Sequence, residues 1–91
     1  MAMAQLLEFR GGTTEQYKAL HGEVAPDGKL AAGALFHLGG PIEDGWRVVN
    51  VWESEESAQT FFRERLAPLL QKSGLQPPQS QSWWPVDNMM K

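Results

Sequence analysis

The sequence predicts an α+β domain built on one antiparallel sheet, and three observations lead to that class. Between Gly45 and Leu70 the hydrophobic period changes from two to about 3.6 at a single acidic junction, so a strand hands over to a helix there. Near the amino terminus, alternating residues from Met3 to Phe9 are cut off by Gly11 and Gly12, and a helical apolar stripe follows. Finally, the segment rich in Gly and Pro between Leu38 and Trp46 has a length that joins two antiparallel strands as a hairpin.

The elements follow in order. Met3 to Phe9 forms the first strand, with Leu7 and Phe9 on one face and Leu6 on the other. Thr13 and Gln16 make a capping box for the first helix, whose stripe Tyr17, Leu20, His21 and Val24 has the spacing of a helix facing a core. Pro26, Asp27 and Gly28 end it. The second strand is expected over Ala34 to Leu38, with Gly39 to Gly45 as the hairpin loop. In the third strand Trp46, Val48, Asn50 and Trp52 share a face while Val49 and Val51 take the other, so both faces are expected to be buried. Ser54 caps the second helix, with Glu55 and Glu56 in its first turn where the helix dipole favours negative charge. Its stripe is Ala58, Phe61, Phe62, Leu66, Leu69 and Leu70; Pro68 is expected to break or kink it, and Gly74 to end it. Gln79 to Val86 completes the set as a last strand, with Trp83 and Trp84 facing opposite ways and Pro85 suited to a sheet edge.

This order, βαββαβ, is the ferredoxin-like arrangement: a four-stranded antiparallel sheet with two helices on one face. The whole chain, residues 1–91, reads as one domain. A chain this short buries only roughly 60–65 per cent of the surface that its unfolded form exposes, yet it carries four Trp, four Phe and a Tyr. The helix-free sheet face is expected to hold Leu35, His37, Trp46, Val48, Asn50 and Trp52, together with Gln5, Leu7 and Phe9. A second copy is expected to cover it, so that two chains close into an α+β barrel as a homodimer.

Composition removes several classes of function. A net charge of −3 with scattered basic residues argues against nucleic-acid binding. An RNA-recognition domain shares the element order, but the stretch from Asp44 to Val51 has an acid where that motif wants a base and Val48 where it wants a stacking aromatic. Without Cys, disulfides and thiolate chemistry are excluded, and two His at no ligand spacing make a zinc site unexpected. No apolar run approaches the ~20 residues of a membrane span and no signal-peptide pattern opens the chain, so no membrane contact and a cytoplasmic location are expected.

Beyond the element order, Gly33 to Leu38 (GALFHL) and Gly45 to Leu70 carry a resemblance. The latter combines a glycine-aromatic strand opening, a Trp followed by an acidic-serine helix start, and a Phe-rich helix ending in a proline-interrupted leucine pair. In these features the chain resembles the dimeric α+β barrel proteins, whose best-known branch is the antibiotic biosynthesis monooxygenase type. That resemblance implies a cofactor-independent enzyme acting on a planar aromatic or polyketide-like small molecule. In the oxygenase branch an Asn and a Trp on core-facing strands line the pocket, with a His nearby; Asn50, Trp52 and His37 match in type. The only tyrosine, Tyr17, falls on a helix, so a tyrosine donor is expected to be missing from the pocket.

On this reading His37 is the candidate base, because imidazole ordinarily titrates near neutrality. Asn50 is the candidate oxyanion donor. Trp46, Trp52, Leu35 and Val48 are the candidate walls for substrate, and no metal or organic cofactor is expected. Three alternatives stay open: an aldol-type cyclase using the same groups, a non-catalytic ligand-binding module, and a pocketless dimerisation unit in which His37 and Asn50 satisfy only each other.

Overall fold

A computed structural model describes residues 2–90 of the chain. The elements are β1 (Met3–Arg10), α1 (Thr14–Val24), β2 (Ala34–Ile42), β3 (Gly45–Trp52), α2 (Glu55–Phe61), a π-helical turn (Phe62–Leu66), α3 (Ala67–Ser73) and β4 (Ser80–Pro85). The strands form one antiparallel sheet in the order β2-β3-β1-β4. This is the ferredoxin-like architecture expected from the order of elements. No helix among the described residues is long and apolar enough to cross a membrane.

Local chemistry explains most boundaries. Thr13 accepts from the Gln16 backbone N–H at 3.1 Å, and Gln16 Oε1 accepts from the Thr13 N–H at 2.8 Å, so the capping box is complete. Ser54 Oγ accepts from the Ser57 N–H at 3.2 Å and starts α2. Gly74, at φ 75°, ends α3 in the left-handed conformation that glycine adopts without steric cost. The hairpin is tighter than the sequence predicts: β2 runs on to Ile42, and only Glu43 and Asp44 form the turn. Asp44 sits at φ 61°, a conformation that Asp tolerates better than most residues.

Pro68 stands in the first turn of a second helical piece, α3, that ends at Gly74 as expected, but no gap separates this piece from α2. The rod continues from Glu55 to Ser73 through the wide turn Phe62–Leu66, where the Ala67 N–H bonds back to the Phe62 carbonyl. That turn shifts the hydrogen-bond pattern one residue ahead of the position where Pro68 has no N–H to give.

The larger correction concerns the sheet faces. Leu7, Phe9 and Val48 join Tyr17, Leu20, Leu66, Leu70 and Leu75 in the buried core, with Trp46 packed against it, so this face lies under the helices. The helix-free face instead carries Leu6, Phe36, Leu38, Val49 and Val51, with Trp84 at its edge; Leu38 and Trp84 are exposed. Period two sorts residues onto two faces but does not say which face the helices cover, and β3 is apolar on both.

Two features of this core have measurable consequences. A Cβ at Gly45 would collide with the Phe9 carbonyl across the β1–β3 pair. Gly45→Ala is therefore expected to cost about 2–3 kcal/mol, read as a lower urea midpoint at unchanged slope. Buried Tyr17 donates its hydroxyl to the Gly11 carbonyl at 2.7 Å, and its pKa is raised above 10.0 by burial first and by the Asp44 charge second. The unfolded chain therefore gives up this proton at lower pH than the native one. The stability it contributes is complete below about pH 10 and is lost as pH rises through the native value. Tyr17→Phe should lack this alkaline loss when urea midpoints are compared between neutral and strongly alkaline buffer.

Candidate functional site

The chamber lies inside one chain, between the sheet and α1. It is floored by Trp46, Val48, Asn50 and Trp52 of β3, roofed by Tyr17, Leu20 and Val24 of α1, and closed at the far end by Phe61 and Leu66. Its space is about 150 Å³ and it opens past His37, His21 and Lys29. β3 presents these four residues because alternate side chains share a face, and that face is the helix-covered one.

Aromatic rings hold the walls apart. Tyr17 stacks on Trp46 at 5.7 Å between centroids with 15° between planes, Phe9 tilts against Tyr17 at 5.7 Å, and Trp52 tilts against Phe61 at 5.3 Å. These are separations at which aromatic pairs attract. Tyr17 thus lines the chamber from the helix that forms its roof, a placement the sequence did not predict. Its hydroxyl, however, is committed to the Gly11 carbonyl.

A chain of polar side chains runs under the chamber. His37 Nδ1 lies 2.7 Å from Asn50 Oδ1. Asn50 Nδ2 donates to Gln5 Oε1 at 3.2 Å, and Trp52 Nε1 donates to the same oxygen at 2.9 Å. Gln5 Nε2 in turn donates to Gln81 Oε1 at 3.2 Å. Gln5 and Asn50 are buried whereas His37 is exposed at the mouth. Asn50 Nδ2 has a second N–H with no acceptor among the described residues, so it can donate to a ligand.

The fold thus brings five of the six sequence-selected residues, His37, Asn50, Trp46, Trp52 and Val48, to one chamber. Leu35 is not among the lining residues: it sits where the β2–β3 register shifts between Ala34 and Phe36, an irregularity that places His37 opposite Asn50. Sequence reasoning missed Gln5 and His21. His21 stacks on His37 at 5.1 Å and 10°, forming one side of the mouth. Its position one helical turn after Tyr17 was the available signal, and it became legible only once α1 was known to cover this sheet face.

No protein-family model matches the chain, and no curated protein matches it. Solved structures do. A suspected antibiotic biosynthesis monooxygenase from Chloroflexus aurantiacus is similar with a TM-score of 0.74 at 12% identity, over 100% of this chain and 98% of the other. SnoaB, a cofactor-independent oxygenase from Streptomyces nogalater, is similar with a TM-score of 0.71 at 9% identity, over 98% and 96%. A dimeric ferredoxin-like protein of unknown function from Thermobifida fusca is similar with a TM-score of 0.63 at 11% identity, over 94% and 92%. The chain therefore has the ferredoxin-like fold seen in antibiotic biosynthesis monooxygenase-like proteins, end to end.

Proposed function

We propose that the chain is a small cofactor-independent oxygenase, acting on a planar phenol or enolisable aromatic held between the β3 tryptophans and α1. The observation that carries this reading is an apolar, aromatic-walled chamber in which an imidazole at the mouth lies 2.7 Å from a carboxamide buried in the floor. A space of about 150 Å³ matches the cavity size known to admit one benzene ring. One ring of the substrate enters and any remainder extends past His37 and His21.

His37 removes a proton from the phenol or the activated ring carbon, and the free N–H of Asn50 faces the oxygen on which negative charge develops. The substrate anion then supplies the electrons that dioxygen takes. A carbon–oxygen bond forms to give a hydroperoxide, which loses water and leaves a carbonyl. The fold shared with SnoaB, a cofactor-independent oxygenase, supports this reaction class.

A ligand-binding module without turnover is the second reading, favoured by the bond between His37 and Asn50 themselves. Oxygen uptake with anthrone- or naphthol-type compounds separates the two. His37→Ala should lower the rate by about 10²- to 10⁴-fold while ligand still quenches tryptophan fluorescence. Quenching with no oxygen uptake by the unmodified protein would leave the binding module.

The homodimer we propose closes through the helix-free face, where Leu38 and Trp84 are exposed and Leu6, Phe36 and Val49 are half-buried in one chain. The relative from Thermobifida fusca is described as dimeric. Light scattering should give twice the chain mass, and Leu38→Asp should halve it; a monodisperse monomer from the unmodified chain removes the barrel.

A further inference from the structure

We propose that Trp52 and Gln5 are positioning residues that fix the tautomer of His37, so that Nδ1 always carries a proton and Nε2 is the nitrogen left to act on a ligand. Donors and acceptors alternate across the sheet from β3 to β1, back to β3 and on to β2.

An indole N–H can donate but never accept. The Gln5 atom 2.9 Å from Trp52 Nε1 is therefore the amide oxygen. That oxygen also lies 3.2 Å from the side-chain amide of Asn50. If Asn50 were turned over, two carbonyl oxygens would face each other inside the protein with no proton between them, since Gln5 is 7% and Asn50 8% exposed. Such a pair loses a hydrogen bond where water cannot replace it. Asn50 must then give its N–H to Gln5 and turn its oxygen toward His37.

An amide oxygen only accepts, so the His37 nitrogen 2.7 Å away must donate. Nδ1 is protonated whether the ring is neutral or charged. In the neutral ring the lone pair is confined to Nε2, which has no hydrogen-bond partner among the described residues. Gln81 completes the chain by accepting from Gln5 Nε2 at 3.2 Å, so all four strands contribute, β3 with both Asn50 and Trp52. As a statement about proton position the inference stands by itself; as the positioning of a base it rests on the oxygenase reading of His37.

Multiple-bond ¹⁵N–¹H correlation spectra of the labelled full chain, taken at about pH 9 where an ordinary imidazole is neutral, report the tautomer without any ligand. His21→Phe keeps a ring against His37 and assigns the two sets of signals. His37 is expected as pure Nδ1–H in the unmodified protein. Trp52→Phe retains an aromatic ring but deletes the donor that sets the direction, and should add an Nε2–H population. Trp52→Phe combined with Asn50→Asp should restore the single Nδ1–H form, because a carboxylate accepts in either orientation. An Nε2–H form in the unmodified protein, or a pure Nδ1–H form in Trp52→Phe, overturns the proposal. Undiminished oxygen uptake by His37→Ala beside the expected spectra would remove the base and leave the relay standing.

Discussion

The register of β1 against β3 is the constraint on which the remaining geometry depends. Gln5 stands opposite Asn50 and Leu7 opposite Val48, so one alternating set places both amides and the core aliphatics beneath the helices. A slip of one residue would carry the whole set to the other face. Two interactions pin this register near the end where β1 finishes and β3 begins. Gly45 lets the chain pass close to Phe9, and Glu8 bonds to Arg47 across the pair through Nε at 2.7 Å. The Gln5–Asn50 contact is then a result of strand pairing as much as a cause of it, and the buried amides penalise any alternative pairing.

Much of this was legible in the residues, for physical reasons that can be named. Thr13 with Gln16 and Ser54 before Glu55 fixed both helix starts, because capping is a local bargain between a side chain and the next turn. The opposition of Trp83 and Trp84 followed from strand alternation alone. The faces were not legible. β3 is apolar on both sides, and the choice between them is made by the right-handed crossover that carries α1 onto one side of the sheet, a property of the connected chain. Once that choice is reversed, the chamber moves from between two chains to within one.

The site was legible in part for the same reason. His37 and Asn50 are three-dimensional neighbours through the β2–β3 hairpin, a local pairing that sequence reasoning reaches. Gln5 reaches them only through the β1–β3 pairing, from a residue 45 positions away in sequence. Tyr17 and His21 needed the helix placement as well. The register shift at Leu35 was also out of reach, since a bulge is decided by how the two strands meet and leaves no mark in Ala34, Leu35 and Phe36 themselves.

The chamber is itself an argument about selection. Space of about 150 Å³ would cost on the order of 3–4 kcal/mol if it were sealed and dry, a large share of the 5–15 kcal/mol that holds a domain together. Larger side chains at Leu20 or Val24 on the roof would fill it. Instead the stacked pair Tyr17–Trp46 and the tilted pair Trp52–Phe61 prop it open, and the π-helical turn brings Leu66 to its end wall. Wide turns of this kind gather at functional sites because they cost hydrogen-bond geometry that a purely structural helix would keep. The cavity and the wide helix turn each work against stability and they meet at the end wall, while the buried amide relay runs beneath the chamber to His37 at its mouth. That coincidence fits a chain whose aromatic residues serve a bound ligand as well as a core.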